Sequence, residues 1–495
     1  MHVREGSVGI DQSGCAAEVA ERGIVLGELA AAGGVNFGTS GVRALVADLT
    51  PQVCAAFTEA FLAIAQPNRD QLIIGHDLRP SSPMIASVCW SAAHRLGCEV
   101  LYAGVLPTPA LAFAAKCLGM PAIMVTGSHI PFDRNGLKFY HAHGEITKQD
   151  ERGILATSVR LESPLIESLP LPTSDPLNLY RERYLQVFPL DSLAGLRIGI
   201  YEHSSAARDL LHDLLRALGA ETVGLGRTES FVAIDTEAVR LEDRALARQW
   251  VQQFSLNAIV TTDGDGDRPL VADEGGVWMR GDVLGMICAR ELGAQTVVTP
   301  LTSNSGVESC GLFPVVRRTR VGSPHVIAAM EVAGGEPIVG YEANGGVLLG
   351  SETPLASGVL APLMTRDAVL PILLALTATR RLACGLSGLG DGLGGLHTHS
   401  DRLQGIDLGL CGRLLEKLAA DPQAVALVLG HPAMQLISCD TTDGLRFTFA
   451  SGDIIHLRLS GNAPELRCYA ETESPERAEQ LCRDSLDRLR PQVLP

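Results

Sequence analysis

The 495-residue chain is poor in aromatic residues and in positive charge. Phe, Trp and Tyr make up only 4% of it, so burial must rest on Ala, Val, Ile and Leu. There are 40 Lys and Arg against 56 Asp and Glu, a formal net charge of −16. Proteins that bind nucleic acid or membrane surfaces normally carry the opposite balance. We therefore expect neither nucleic acid nor membrane among the partners.

Closely spaced cysteines and long apolar runs are missing as well. The nearest two of the 12 Cys, Cys89 and Cys98, are nine positions apart, so there is no CxxC zinc or redox pair. The longest apolar run, 368–376, contains Pro371 and is too short to span a bilayer. The N-terminus lacks a secretory pattern. These absences predict reduced thiols in a cytoplasmic protein, and no heptad pattern indicates an assembly beyond a monomer or homodimer.

The length favours three to four domains, and the 52 Gly and 27 Pro suit many short elements. Six apolar runs read as buried strands, each ending in a polar loop and followed by a helical period. Ligands of parallel sheets bind at the carboxyl ends of strands, so these loops are where chemistry is expected. The runs are Leu72–Gly75, Ala122–Val125, Leu196–Ile200, Ala258–Val260, Thr296–Val298 and Ile338–Val339.

The last hundred residues have a different pattern, typical of a small α+β domain. A helical period covers 407–420, and three alternating segments at 445–449, 454–459 and 466–471 predict strands. Ser474, followed by Pro475 and Glu476, predicts the start of a closing helix. We place domain boundaries near residues 175, 277 and 395.

The densest carboxylate cluster is DGDGDRP at 263–269. Asp263, Asp265 and Asp267 alternate with Gly and can fold around one hard cation, which suits Mg²⁺; a solvated acidic turn is the alternative. An EF-hand is disfavoured, because its sixth position is Arg268 rather than Gly and because a strand leads into it. Arg268 is expected to attract a phosphate to the metal's side.

A second signal is VTGSHIPFDRNGLKFY at 125–140, which places Ser128 at a strand end where a nucleophile could be presented. The hydrolase elbow Gly-x-Ser-x-Gly is absent, since Thr126 and Ile130 stand at its glycine positions. Taken alone, Ser128 is typical of an ordinary turn.

A third signal is RLSGNAPELR at 458–467. Its turn, Ser460, Gly461 and Asn462, can offer donors to an anion while Arg458 and Arg467 supply charge; an ordinary hairpin loop is the alternative. The GxGxxG match at 390–395 lacks a preceding strand and is interpreted as a linker.

Together these motifs resemble the α-D-phosphohexomutase superfamily, most closely its bacterial phosphomannomutase branch. The resemblance covers nearly everything from Val35 onward, and HDLRPSSP at 76–83 and LPTPAL at 106–111 are similar to minor family signatures. The five main motifs, in family order, are FGTSGVRA at 37–44, TGSHIP with NGLK at 126–138, DGDGDRP at 263–269, GYEANGG at 340–346 and RLSGNAPELR at 458–467.

The resemblance implies a heart-shaped protein of three similar α/β domains with mixed sheets and a smaller C-terminal α+β domain, their loops meeting in a central cleft. It implies the phosphoserine loop in 35–175, the metal loop in 176–277, the sugar-binding loop in 278–395 and the phosphate-binding loop in 396–495. Residues 1–34 are then an N-terminal extension.

The implied reaction is reversible transfer of phosphate between C6 and C1 of a hexose, with Mg²⁺ as cofactor and a hexose 1,6-bisphosphate as bound intermediate and activator. Ser128 would be the phosphoserine, sharing the metal with Asp263, Asp265 and Asp267. Further roles are implied for three groups: Arg43, His129, Lys138 and Arg268 around the transferring phosphoryl group; Glu342 and Asn344 on sugar hydroxyls; and Arg458, Ser460, Gly461, Asn462 and Arg467 on the distal phosphate.

Two questions stay open at this level. His325, Lys138 and His129 compete as general acid or base. Mannose phosphate is favoured, with phosphoglucomutase and phosphoglucosamine mutase activity as alternatives; Ser323 and Pro324 follow Val321-Gly322 where glucosamine enzymes usually have Asp-Arg. A non-catalytic sugar-phosphate-binding homologue is disfavoured, because the serine and all three aspartates are present. Gly127, Ile130, Asn344 and Asn462-Ala463 depart from common family residues.

Overall fold

The computed structural model describes residues 23–38, 41–65, 70–160, 165–431, 433–460 and 464–494. Its main sheets follow one another along the chain and define four units, three α/β units and a C-terminal α+β unit. The predicted fold class is therefore confirmed. The exact boundaries at 175, 277 and 395 stay predictions.

The first unit is built on a seven-stranded mixed sheet. The strand Gln71–His76 pairs in parallel with Glu99–Val105 and Ala122–Val125, and the other pairs are antiparallel. The remaining strands are Asn36–Phe37, Gly41–Leu45, Arg134–His141 and Gly144–Glu145. The helices are Leu26–Ala32, Pro51–Ile64, Ser82–Arg95, Thr108–Leu118 and Lys148–Ala156.

Residues 23–34, assigned from sequence to an N-terminal extension, pack against this first unit. The short strand Ile24–Val25 pairs with Ser158–Val159, and Leu26 and Ala30 are buried in the unit's core. Residues 1–22 lie outside the described part of the chain.

The second and third units repeat one plan, three parallel strands extended by antiparallel ones. The second sheet has the order Glu221–Leu225, Arg197–Tyr201, Ala258–Thr262, Pro269–Ala272. The third has the order Val315–Thr319, Thr296–Pro300, Ile338–Tyr341, Val347–Leu349, Leu363–Asp367, with a separate hairpin of Thr353–Leu355 and Gly358–Leu360. Their helices are Asp175–Leu185, Arg208–Ala217, Leu241–Phe254, Gly281–Glu291, Gly306–Ser309, Ser323–Glu331 and Val369–Leu382, followed by the 3₁₀ turn Leu386–Gly390.

The fourth unit is an antiparallel sheet covered by helices. Its strand order is His397–Gln404, Glu465–Thr472, Ile454–Leu459, Leu445–Phe449, Leu436–Asp440. The helix Leu408–Ala420 is capped by the Asp407 side chain, and the last helix, Pro475–Val493, by Ser474 as predicted. The helix Val425–Val428 and the 3₁₀ turn Pro422–Ala424 complete the unit.

All six apolar runs form strands, but the helical period expected after each is wrong at three of them. Ala122–Val125, Ala258–Thr262 and Ile338–Tyr341 are each followed by an antiparallel strand. The chain reverses there through a loop instead of entering a helix. Two of the returning strands, Pro269–Ala272 and Val347–Leu349, are too short and too apolar to reveal their period. These three hairpin loops carry the serine, metal and sugar motifs.

The apolar core is divided unevenly. One cluster joins the first three units, with members such as Leu111, Leu211 and Val339. The C-terminal unit has a cluster of its own around Phe447, Cys468 and Leu489. Among the described residues, no helix is both long enough and apolar enough to cross a membrane.

Candidate active site

Ser128 lies in the loop after strand Ala122–Val125 and is almost fully buried. Its backbone has a φ of 53°, in the left-handed region that a non-glycine residue adopts only when its surroundings hold it there. Its N–H donates to Thr126 Oγ1 at 2.7 Å, and its Oγ donates to Asp263 Oδ2 at 2.7 Å. The serine hydroxyl of the first unit therefore reaches the acidic loop of the second.

The buried side chain of Arg79 holds the serine loop in place. Its guanidinium donates to four backbone carbonyls of that loop, those of Ser128, Ile130, Pro131 and Arg134. Its Nε lies 3.3 Å from Asp77 Oδ2, and Asp77 also accepts from Thr126 Oγ1 at 2.7 Å. Both residues belong to the HDLRPSSP segment, so that sequence builds the support of the strained serine.

The three aspartates meet in the loop between strands Ala258–Thr262 and Pro269–Ala272. Asp263, Asp265 and Asp267 are at most 1% exposed, and one carboxylate oxygen from each lies within 4.8 Å of the others. Within the described chain, Oδ1 of Asp265 and Oδ1 of Asp267 are buried without a hydrogen-bond partner. Three clustered hard oxygen donors, two with unused buried oxygens, fit a divalent cation such as Mg²⁺.

Lys138 provides much of the charge that offsets this cluster. Its Nζ donates to Asp265 Oδ2 at 2.6 Å and to Asp267 Oδ2 at 2.8 Å, and Thr108 Oγ1 donates to Asp265 Oδ2 at 2.6 Å. Burial alone would raise the pKa of Asp265, but Lys138 and these bonds lower it. The pKa of Asp263 is raised well above its usual range by burial and by the neighbouring carboxylates.

Three further predicted residues gather on the same side. Arg268 Nε is 3.9 Å from Asp263 and 3.7 Å from Asp267, and His129 Nδ1 is 3.4 Å from Ser128 Oγ. Burial, Arg268 and Arg43 lower the pKa of His129 well below its ordinary value. Burial and Arg268 lower the pKa of Arg43 to about 10. Arg43 and Arg268 thus lie close enough to repel each other, and a bound anion would relieve that repulsion.

Arg366, which the sequence analysis missed, joins the metal loop to the sugar loop. It is buried at the end of strand Leu363–Asp367. Its Nη2 lies 2.9 Å from Asp267 Oδ2, and its Nη1 lies 3.1 Å from Glu342 Oε2 and donates to Ser323 Oγ at 3.0 Å. One side chain of the third unit therefore orients a carboxylate in each of two loops.

We expect Arg366→Met to lower the free energy of unfolding by about 3 kcal/mol, because the buried carboxylates of Asp267 and Glu342 lose the cation that they share. Urea denaturation measures the change. The control is Arg483→Met, which removes an exposed ion pair with Glu479 on the last helix and should cost less than about 0.5 kcal/mol. Equal effects of the two changes would contradict the bridging role.

The predicted sugar-loop residues are both buried between strands Ile338–Tyr341 and Val347–Leu349. Glu342 accepts from the Gly322 N–H at 3.1 Å, and Asn344 Oδ1 accepts from the Gly346 N–H at 3.0 Å. Thr236 Oγ1 donates to the Asn344 carbonyl at 2.8 Å, which attaches the loop to the second unit.

The phosphate-loop residues lie in the fourth unit. Arg458 and Arg467 face each other on neighbouring strands. Arg458 Nε donates to Asp443 Oδ2 at 3.0 Å, Arg467 Nη2 lies 3.4 Å from Glu465, and the Ser460 N–H donates to the Glu465 carbonyl. Gly461 and Asn462 lie outside the described residues.

His325 stands apart from the rest. It is exposed on the helix Ser323–Glu331, and among the described residues its ring makes no hydrogen bond or ion pair with the aspartate cluster. Its acid or base role stays a prediction. The other described candidates around the serine and the metal loop converge, whereas Arg79, Asp77, Thr108 and Arg366 were not singled out as site residues. Only the HDLRPSSP and LPTPAL signatures pointed toward any of these four.

Comparison with known proteins identifies the architecture. Three models of phosphoglucomutase/phosphomannomutase domains match: alpha/beta/alpha domain I at residues 34–163, alpha/beta/alpha domain III at 280–389 and the C-terminal domain at 413–488. A phosphomannomutase of Salmonella muenchen is 47% identical over 449 residues, 90% of this chain and 93% of that protein. One of Sinorhizobium fredii is 41% identical over 474 residues, 92% and 98% of the two chains.

A solved structure has the same fold. It is a phosphoglucomutase/phosphomannomutase family protein from Burkholderia thailandensis, which matches with a TM-score of 0.69 at 21% identity, covering 92% of this chain and 97% of its own.

Proposed function

Because the chain belongs to the phosphoglucomutase/phosphomannomutase family, we propose that it is a phosphohexomutase that interconverts mannose 6-phosphate and mannose 1-phosphate. The observation that carries the proposal is the contact of Ser128 Oγ with Asp263 Oδ2 at 2.7 Å beside three buried carboxylates. A cation beside the serine oxygen would stabilise the charge of a transferring phosphoryl group, and the three carboxylates would hold that cation.

Ser128 is proposed to carry the phosphoryl group. When a sugar hydroxyl attacks, the oxygen–phosphorus bond to the sugar forms as the bond to Ser128 Oγ breaks, and the hydroxyl proton passes to a base. The left-handed backbone of Ser128 and the four bonds from Arg79 hold the serine oxygen in place, so little reorganisation is needed at the moment of transfer.

Charge at the transferring group is stabilised by the cations of the site. Mg²⁺ held by Asp263, Asp265 and Asp267 would act as a Lewis acid on the phosphoryl oxygens. Arg43, Arg268 and Lys138 contribute positive charge around the same position. Of the three candidate acid or base residues, His129 lies nearest, with its Nδ1 3.4 Å from Ser128 Oγ.

The rest of the sugar phosphate is proposed to lie between the third and fourth units. Glu342 and Asn344 would accept bonds from hydroxyls, and Arg458, Arg467 and the 460–462 turn would bind the phosphate that is not being transferred. The hexose 1,6-bisphosphate formed in the first transfer then turns end for end and returns its other phosphate to Ser128. A generic phosphate site satisfies both orientations.

Mannose phosphate is favoured over glucosamine phosphate by two observations. The two relatives from Salmonella muenchen and Sinorhizobium fredii, which match 90% and 92% of this chain, are named phosphomannomutases. Ser323, where glucosamine enzymes usually have Asp, is bonded to Arg366 and to Glu145 of the first unit. The Ser323 hydroxyl therefore lies beside Glu342, and Arg366 bonds both side chains.

A coupled assay tests the proposal. Mannose 1-phosphate, glucose 1-phosphate and glucosamine 1-phosphate are compared as substrates in the presence of MgCl₂ and a hexose 1,6-bisphosphate. We expect conversion of all three to depend on both additions and mannose 1-phosphate to give the highest kcat/KM. Absence of turnover with every sugar would refute the mutase assignment, and a preference for glucosamine 1-phosphate would refute the substrate.

A further inference from the structure

Asp443, in the turn before strand Leu445–Phe449, is the link between the phosphate-binding candidates and the sugar loop. Its Oδ2 accepts from Arg458 Nε at 3.0 Å within the fourth unit. The same oxygen accepts from the backbone N–H of Val321 at 2.8 Å, in the third unit and 122 positions earlier in the chain. One carboxylate oxygen therefore holds an arginine and docks its unit onto another.

The turn is shaped to put Asp443 beside Arg458. Gly444 has a φ of 79°, and a Cβ there would lie 2.3 Å from the Leu457 carbonyl and 3.0 Å from Arg458 Cα. Only glycine permits so close an approach of the two strands. The Asp443 carbonyl is also held, 2.6 Å from His456 Nε2. The backbone that carries the Asp443 side chain is thus fixed beside Arg458.

The docking contact continues into the sugar loop. Val321 and Gly322 present consecutive N–H groups, the first bonded to Asp443 and the second to Glu342 Oε1 at 3.1 Å. Arg320 Nε adds a bond to the Thr442 carbonyl at 2.9 Å. Glu342 is bonded in turn to Arg366, which reaches Asp267. A continuous chain of bonds connects Arg458 to the metal loop.

The geometry assigns Asp443 as the positioning residue of the phosphate site: it sets the orientation of Arg458 and registers it against the sugar loop. This inference rests on the proposed function. Arg458 bonds Asp443 through its Nε. Its two terminal nitrogens make no hydrogen bond or ion pair with any described residue, so both remain available to a ligand. A guanidinium presented in this way can bind phosphate through two parallel N–H groups.

Two roles for Asp443 predict opposite results. If its negative charge merely offset Arg458, removing it would strengthen phosphate binding and lower KM. If it positions Arg458, removing it frees the arginine to sample rotamers and raises KM. Since the chemical step takes place at Ser128, kcat should change little in either case.

The test measures KM and kcat for mannose 1-phosphate in Asp443→Ala and Asp443→Asn. We expect Asp443→Ala to raise KM about tenfold, the equivalent of one good charge-assisted bond, with kcat within about twofold of the wild-type value. Asn keeps an acceptor oxygen, so Asp443→Asn should restore KM to within about threefold. A KM that is unchanged or lower in Asp443→Ala, or equal KM values in the two variants, would overturn the inference.

Two controls separate positioning from folding. Asp453→Ala removes a similar pair, with Arg477, at the opposite end of the same hairpin and should leave KM unchanged. Tm is measured for every variant, and if Asp443→Ala does not fold, Asp443→Gln displaces the acceptor instead, with the same tenfold rise expected. Failure of the wild-type protein to convert any hexose phosphate would refute the proposed function, whereas normal wild-type turnover with an unaffected Asp443 variant would refute this inference alone.

Discussion

Replacing Ser128 by Ala is expected to lower kcat for hexose phosphate interconversion by at least about 10³-fold, because no other group takes over a covalent step of this kind. The hydroxyl oxygen is buried and lies 2.7 Å from Asp263. A water molecule in its place could not carry the phosphoryl group, because it is not covalently attached to the enzyme. Steady-state kinetics give the loss, and intact-mass measurement should show that the phosphorylated form is missing.

The backbone of Ser128 allows a second variant that separates chemistry from strain. Ser128→Gly also lacks the hydroxyl, but glycine adopts the left-handed conformation without strain. It should therefore be as inactive as Ser128→Ala, with a free energy of unfolding about 1 kcal/mol higher than that of Ser128→Ala. Ser485→Ala is the matched control, because Ser485 is fully buried and, within the described part of the chain, its hydroxyl donates to the Leu481 carbonyl of its own helix alone. Its kcat should stay at the wild-type value; turnover in either Ser128 variant near that level would reject the phosphoserine.

Replacing Asp265 by Asn is expected to abolish magnesium-dependent turnover, again by about 10³-fold. Asn is nearly isosteric, but it removes one of three negative charges that would attract the cation. It also weakens the bonds from Lys138 and Thr108, both of which end on Asp265 Oδ2. Titration of activity with MgCl₂ is the measurement, and we expect no recovery at high metal concentration.

The control for this variant is Asp367→Asn. Asp367 is also buried and accepts from Tyr180 and Tyr184, but it is not part of the aspartate cluster. Its loss should reduce stability while leaving the dependence of activity on MgCl₂ unchanged. Wild-type magnesium activation in Asp265→Asn would show that the cluster does not hold the metal.

The sequence predicts best those parts of the site whose members are neighbours in the chain. Asp263, Asp265 and Asp267 are two positions apart, and a strand end followed by Gly-rich loops was enough to place them. Ser128 was placed by the apolar run before it. Its left-handed backbone could not be predicted, because the bonds that stabilise it come from Arg79 and Asp77, which follow a different strand, Gln71–His76.

Long-range partners left no comparable signal. Arg366 lies 99 positions from Asp267, and Asp443 lies 122 positions from Val321, so no spacing rule connects them. A charged residue at the end of a strand is usually a solvated one, and only packing turns Arg366 into a buried bridge. The two missed strands of the fourth unit, His397–Gln404 and Leu436–Asp440, lie at the sheet edges. The first is almost entirely polar and the second has no buried residue, so neither shows a clear alternation of apolar and polar positions.

The division of the apolar core has a thermodynamic consequence. One apolar cluster joins the first three units, whereas no cluster of the described residues joins the C-terminal unit to them, so denaturant is expected to unfold the protein in two transitions rather than one. Polar contacts link the third unit to the fourth: the Val321 N–H donates to Asp443, and the N–H and hydroxyl of Ser305 both donate to Glu471 Oε2. The C-terminal unit can therefore detach by exchanging bonds with water, without exposing the shared core. A stability change caused by Arg366→Met belongs to the transition of the shared core, and one caused by Asp453→Ala to the other.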